Sequence, residues 1–286
     1  MKTGTHTDGG PRTYLDRIVP AVVRRIEERK ARLTEARLAA MPGPAGRPSF
    51  AAAVGAPGVS LIAEVKRASP SKGPIRPALD VGEIVQAYEA NGARAVSVLT
   101  EEDHFRGSLD DLRSAAADTG LPLLRKDFIV DGYQIYEARV WGASAVLLIA
   151  ALLSDDRLHY LTGLAFDLGL DVLLEVHDAA ELARALSFDG VVIGVNNRDL
   201  RSFEVSLETT VELAGLVPAE RLLVGESGIR GRTDVEMLAA CGVDAVLVGE
   251  TILRDADVGQ AVRSLMDPVP VVATRPVGQA QREDLR

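Results

Sequence analysis

The chain has 286 residues, 47% of them hydrophobic and 26% charged, which suits one large α/β barrel or two ordinary domains. Its net charge of −9 argues against nonspecific nucleic-acid binding, which needs a basic face, so any anion site must be assembled locally from particular lysines and arginines. A single cysteine, Cys241, excludes an intrachain disulfide and argues against a thiolate metal cluster; in the apolar stretch Leu238–Gly242 it reads as a buried, inert thiol.

Residues 1–12 are polar and Gly-rich, read as a disordered tail, and hold no apolar run that would serve as a signal peptide. The longest apolar stretch, Ala143 to Leu153, is too short to span a bilayer, so the expectation is a cytoplasmic protein with no membrane partner. Thr13-x-x-Asp16 has the form of a capping box. It opens a segment in which Leu15, Ile18, Val19, Val22, Val23 and Ile26 recur at helical spacing. Pro20 should kink this helix or restart it. The opposite face, with Arg24, Arg25, Glu27, Glu28, Arg29 and Lys30, reads as solvated. Met41 to Pro48, rich in Pro and Gly, reads as a linker that closes an N-terminal helical extension over residues 13–48.

A regular rhythm follows. Short apolar runs occur at Ser60–Val65, Ala95–Leu99, Leu121–Leu124, Ala145–Ile149, Val172–Val176, Val191–Val195, Leu222–Val224 and Ala245–Val248. Their spacing, roughly 20–35 residues, is that of βα units. Helical patterns lie between them, one from Asp80 with Glu83 to Gly92, another from Asp178 with Glu181 to Gly190. Aromatics are only 4%, so the core is built from Ala, Val, Leu and Ile, as parallel strands buried on both faces require. The fold class expected is α/β: a (β/α)8 TIM barrel over 49–267, behind the N-terminal helical extension and ahead of a disordered tail over 268–286. A doubly wound sheet is the rival, but Lys66-Arg-Ala-Ser-Pro-Ser stands where a Gly-rich dinucleotide turn would follow the first strand.

Reactive groups of such a barrel sit at the C-terminal ends of its strands. Those ends carry Glu64 and Lys66, Lys126, Glu175, Asn196 and Arg198, Glu226-Ser227-Gly228, and Gly249-Glu250. Glu64 and Lys66 are two apart and leave one face of their strand, with Val65 toward the helices. They form either an ion pair plugging the barrel top or, with Lys126 and Glu175, the acids and bases of proton-transfer chemistry. The glycine turns after strands seven and eight serve either chain reversal or phosphate binding on backbone N–H groups; two at the proper strands favour phosphate. His6, His104, His159 and His177 show no ligand spacing and none ends a strand in a cluster, so no metal site is expected. Trp141 reads as packing, and Phe105 as lining an apolar substrate pocket.

The stretches Ile62–Ser71, Leu99–Glu102, Arg125–Ile129, Leu174–His177, Gly194–Leu200, Gly225–Ile229 and Leu247–Glu250 together resemble the signature of the indole-3-glycerol-phosphate synthases, in that family's order, from about Tyr14 to Met266. The resemblance implies ring closure, decarboxylation and dehydration of 1-(2-carboxyphenylamino)-1-deoxyribulose 5-phosphate in tryptophan biosynthesis, with no cofactor. It implies Lys126 as the acid of ring closure, Glu175 as the base, and Glu64 and Lys66 assisting dehydration, with the acid of that last step left open. Asn196 joins the catalytic set and, with Ser69 and Arg198, positions the substrate; Glu226, Ser227, Gly228, Gly249 and Glu250 complete the substrate and phosphate site. Where the family often has Ser, this chain has Glu250, whose side chain is expected to turn away from the anion. The implied partner is a small-molecule substrate, and the assembly a monomer or weak homo-oligomer. The alternatives are a cysteine-dependent phosphoribosylanthranilate isomerase and a degenerate, non-catalytic barrel.

Overall fold

The computed structural model describes residues 14–273. Eight strands, β1 (Ser60–Val65), β2 (Ala95–Leu99), β3 (Leu123–Lys126), β4 (Ala145–Ile149), β5 (Asp171–Val176), β6 (Val192–Asn196), β7 (Leu223–Glu226) and β8 (Ala245–Val248), close into one parallel barrel, with β8 paired back onto β1. The TIM-barrel expectation is met. Strands three and seven run two residues further than the apolar runs alone marked, because Arg125-Lys126 and Gly225-Glu226 continue the ladder through their backbone.

Each strand is followed by helix. The helices of the outer ring are α4 (Val81–Ala90), α5 (Leu109–Asp118), α6 (Gly132–Val140), α7 (Asp155–Asp167), α8 (Ala179–Ala185), α9 (Glu208–Ala214), α10 (Arg232–Ala240) and the pair α11 (Glu250–Leu253) and α12 (Val258–Met266). Side-chain caps set several of their starts: Asp80 accepts from Glu83 N at 3.0 Å and Asp178 from Glu181 N at 2.8 Å. Alternation along β1 sends Leu61, Ala63 and Val65 into the core shared with the helices, and Ile62 into the barrel interior.

Three further helices, α1 (Tyr14–Arg32), α2 (Glu35–Ala40) and α3 (Phe50–Val54), precede the barrel. α3 plugs its lower end with Phe50 and Val54, both fully buried, and Ser60 Oγ donates to the carbonyls of Ala53 and Val54 at 2.9 and 3.0 Å. α1 is a single helix with Pro20 inside it rather than a restarted one, and Ile18, Val22 and Ile26 are buried. The Thr13 cap proposed for it lies outside the described residues, as do residues 1–12 and 274–286. Its charged face is not simply solvated. Arg29 Nε reaches Glu137 at 2.7 Å, Lys30 Nζ reaches Asp131 at 2.9 Å, and Arg25 grips Glu102 and Asp103, so the extension is pinned to the loop after β2 and to α6 with its cap. The Pro/Gly segment 41–48 is strapped down as well: Arg139 donates to the carbonyls of Ala39 and Met41 at 2.7 Å. At the far end, within the span expected as tail, the Pro270 carbonyl accepts from Val59 N at 2.9 Å.

Candidate active site

The strand register builds the site. Glu64 lies opposite Ser97, and Ser97 opposite Leu124, two residues before Lys126. Leu124 lies opposite Ala145, two before Leu147, and Leu147 lies opposite Leu173, two before Glu175. Gly194 lies opposite both Glu175 and Val224, two before Glu226. Such a slip is the stagger that barrel closure imposes, and inward residues from alternate strands then share a level. Glu64, Lys126, Glu175 and Glu226, from β1, β3, β5 and β7, therefore form one charged layer. Directly beneath stand Ile62, Leu124, Leu173 and Val224, all buried in the interior cluster. The period of two that fills the barrel with branched aliphatics thus delivers three carboxylates and one ammonium to its upper end.

The layer is closely paired. Lys126 Nζ lies 2.5 Å from Glu226 Oε2 and 3.6 Å from Glu175 Oε2, and Lys66 Nζ lies 2.6 Å from Glu64 Oε1. Burial alone would lower the Lys126 pKa, but the charges of Glu226, Glu175 and Glu64 outweigh it and hold the amine protonated, above its ordinary range. Glu226 is pushed up to about 7, by burial first and then by the neighbouring Glu175 and Glu64, against the pull of Lys126. Burial also pushes Glu175 up, but Lys126, His177 and Asn196 bring it down to about 2. The layer therefore holds a firmly protonated amine, an ionised carboxylate and a second carboxyl raised above the usual carboxylate range.

Above the layer opens a cavity of 620 Å³, and every site residue proposed from sequence lines it. Its two sides differ. Toward β2–β4 it is apolar, with Leu99, Phe105, Phe128, Leu147 and Ile149, and the Phe105 and Phe128 rings are 6.4 Å apart. Phe105 is fixed because the buried carboxylate of Glu101 accepts the N–H groups of Asp103, His104 and Phe105 at 3.1, 2.7 and 3.1 Å. Toward β7 and β8 lie Ser227, Gly228 and Gly249, with Lys72, Arg230 and Arg254. Ser227 and Gly228 both have left-handed backbone, φ 65° and 82°. For the serine this costs on the order of 1 kcal/mol. Asn197 holds the turn there, its amide donating to the carbonyls of Glu226 and Ser227 at 3.0 and 3.1 Å. Gly249 has a different need: a Cβ there would meet Glu64 Oε1 at 2.5 Å.

The remaining proposed residues fall between these sides. Ser69 Oγ is buried and lacks a hydrogen-bond partner among the described residues, as a hydroxyl reserved for a ligand would. The side chain of Asn196 bonds Glu175, and its Oδ1 accepts Arg198 N at 3.0 Å. Arg198 Nη1 touches the Phe203 carbonyl at 3.4 Å. Glu226 belongs to the charged layer rather than to the glycine turn that follows it, its carboxylate lying against Gly194 and Lys126. Glu250 Oε1 takes Arg254 Nε at 2.9 Å, so its side chain is occupied by that arginine.

Sequence reasoning missed Lys72, Leu200, Phe203, Arg230 and Arg254 in the cavity wall. The i,i+4 pair Glu250/Arg254 was the one available signal among them. It also misread His177, which follows β5 directly and joins a cluster, with Nε2 3.3 Å from Glu175 Oε1. Among the described residues no group of three His, Cys, Asp or Glu side chains could hold a metal ion, and no helix is long and apolar enough to cross a membrane. Cys241 caps α10, half-buried against the outer core, and takes no part in the cavity lining.

The sequence model of a family described as indole-3-glycerol phosphate synthase matches residues 15–265. A curated relative of that description from Dehalococcoides mccartyi is 48% identical over 257 residues, covering 88% of this chain and 99% of the relative. The chain belongs to this family. A relative of the same description from another strain of that species is 52% identical, over 73% of this chain and 82% of its own length. Among solved structures, 3-hexulose-6-phosphate synthase from Salmonella typhimurium aligns with a TM-score of 0.59 at 14% identity, over 72% of this chain and 96% of its own. A tryptophan synthase alpha-subunit from Pyrococcus furiosus gives 0.56 at 15% identity, over 73% and 98%. At such identities these two likenesses speak for the barrel alone.

Proposed function

We propose that the chain is an indole-3-glycerol-phosphate synthase, a carboxy-lyase that closes, decarboxylates and dehydrates 1-(2-carboxyphenylamino)-1-deoxyribulose 5-phosphate. One observation carries the reading: Lys126 stands between Glu175 and Glu226 at the floor of a cavity that is apolar on one side and glycine- and arginine-lined on the other. An anilino-sugar phosphate has the same polarity, an aryl ring at one end and a dianion at the other.

With the ring against Phe105, Phe128 and Leu147, and the phosphate on the backbone N–H groups of Ser227, Gly228, Gly249 and Glu250, the ketone lies over the charged layer. The Lys66 ammonium, Arg230 and Arg254 add positive charge at the phosphate end. The ring carbon bearing the carboxylate attacks the ketone carbon, and the ketone oxygen takes a proton from Lys126. A raised amine pKa does not hinder this, since the alkoxide that would otherwise form is far more basic than an amine. Breaking the C–CO2 bond returns its electron pair to the ring and removes the iminium charge. The hydroxyl then leaves as water while Glu175 takes a proton from the neighbouring carbon, with Glu64 and Lys66 assisting. Ser69, Asn196 and Arg198 hold the carboxylate and sugar chain; the Arg198 fork suits a carboxylate. Holding the two reacting carbons in near-attack geometry supplies on the order of several kcal/mol. The substrate itself provides the electron sink, so no cofactor is required, and the enzyme acts as a cytoplasmic monomer or weak homo-oligomer.

The test is indole fluorescence on mixing purified protein with the substrate, beside a Lys126→Ala variant. Product from the parent and almost none from the variant supports the reading. A folded parent that binds substrate and forms no product overturns it in favour of a non-catalytic barrel.

A further inference from the structure

His177 is the first residue after β5, and its ring lies outside the cavity lining, behind Glu175. Its Nε2 is 3.3 Å from Glu175 Oε1, and its Nδ1 is 3.0 Å from Glu181 Oε2. The same Glu181 oxygen accepts the backbone N–H of His177 at 2.9 Å. Glu181 is fixed in turn by the first turn of α8, where Asp178 caps its N–H at 2.8 Å. Nδ1 is hydrogen-bonded to Glu181, whereas Nε2 makes no hydrogen bond among the described residues and meets Glu175 as a charge contact. The two oxygens of Glu175 are thereby divided: Oε1 faces His177, and Oε2 faces Lys126 at 3.6 Å.

We infer that His177 and Glu181 form a positioning relay, which ties off one oxygen of Glu175 and keeps the other ionised and aimed at the substrate. This rests on the proposed role of Glu175 as base. A carboxylate free to rotate would offer either oxygen and would be protonated more easily in a buried site; a fixed cation at its back removes both losses. Burial would lower the imidazole, but the charges acting on it, Glu175 on β5 and Glu181 on α8, push it up to about 10. The ring then stays cationic through the neutral range.

The experiment compares the full-length protein with His177→Leu, His177→Gln and Glu181→Gln, reading kcat and KM by indole fluorescence across pH. Alongside, 15N NMR follows histidine ring protonation in the unsubstituted protein, with His177→Gln assigning the signal. His177→Leu is expected to lose on the order of ten- to a hundredfold in kcat, with KM within about threefold, as for removing one partner of a buried charge contact. Its acid limb should move up by about one pH unit or more. His177→Gln, which restores a donor without the charge, should recover part of kcat and keep the displaced limb. Glu181→Gln should move the limb the same way, to a smaller extent. An acid limb unmoved in folded His177→Leu overturns the relay, and so does a His177 ring that titrates near the ordinary value of about 6.5. The NMR titration decides alone if the leucine variant does not fold. Turnover retained in Glu175→Gln overturns the base assignment separately, whatever the histidine does.

Discussion

Replacing Arg125 with Met tests how the wall behind Lys126 is held. Arg125 is 1% exposed and points away from the cavity into the layer between barrel and helices. Its guanidinium donates to Asp127 at 2.9 Å, Glu137 at 3.1 Å, the Gln134 carbonyl at 2.7 Å and Thr100 Oγ at 3.1 Å. Methionine fills similar volume, so packing loss is small and the cost is electrostatic. Removing one partner of a buried ion pair costs about 3–5 kcal/mol, because the remaining charge stays buried and uncompensated. Here Glu137 keeps Arg29 at 2.7 Å, and Asp127 keeps Thr100 Oγ at 2.6 Å and the N–H of Phe128 at 2.9 Å. The loss should therefore sit at the lower end, about 3 kcal/mol. At roughly 2–4 °C per kcal/mol for a domain of this size, the melting temperature should fall by about 6–12 °C. Urea unfolding followed by far-UV circular dichroism and by Trp141 fluorescence gives the free energy and checks that the two probes coincide. Adding Glu137→Met should return about half of the loss, since it removes one of the two stranded carboxylates and leaves Asp127 and the partly solvated Arg29. A loss under about 1 kcal/mol for Arg125→Met, or no recovery in the double variant, would refute the electrostatic account.

Three further outcomes follow from the site. Gly249→Ala places a methyl 2.5 Å from Glu64 Oε1 and 2.9 Å from its Cβ, so Glu64 must leave Lys66. We expect kcat to fall at least about tenfold and stability to drop about 1–3 kcal/mol, with steady-state kinetics and thermal melts as the check. Because native Glu226 ionises near 7 and an unfolded glutamate near 4.5, the folded state binds the proton more tightly, and stability should decline as pH rises through that interval. Glu226→Gln should lack up to about 3 kcal/mol of this decline when denaturant midpoints at either end are compared; parallel curves would count against the raised value. Glu250→Ser frees Arg254 while keeping the backbone N–H, so KM should stay level or fall, and a rise beyond about threefold would show that the Glu250 side chain is itself needed.

The barrel and its charged layer were legible because both depend on local periodicity. In β1, β3, β5 and β7 an aliphatic residue precedes a charged one by two positions, and a period of two sends both to the same side. What escaped was set by neighbours distant in sequence. Arg125 stands beside Lys126 in the chain, yet its place is fixed by Glu137 on α6. Arg25, Arg29 and Lys30 are indistinguishable from a solvated helix face until the loop carrying Glu102 and Asp103, and α6 with Glu137 and its cap Asp131, arrive against them. His177 offered no metal-ligand spacing, and its cluster forms only because α8 returns Glu181 beside the strand end. The balance of burial against charge at Lys126 likewise depended on Glu226, which the sequence placed with the phosphate turn.

The aliphatic tier under the charged layer has a consequence for the traffic of protons. Ile62, Leu124, Leu173 and Val224 are all buried beneath the layer, so its cavity face meets solvent from above, through the mouth that the substrate fills in the proposed reaction. In the proposed reaction a carboxylate leaves as neutral CO2 while a ketone oxygen becomes water, which needs one more proton than the substrate's own carbon releases. Each cycle therefore ends with the enzyme one proton short. On the cavity face, recharging from solvent and departure of the product share that mouth, and the next substrate meets a recharged acid once it has stood open.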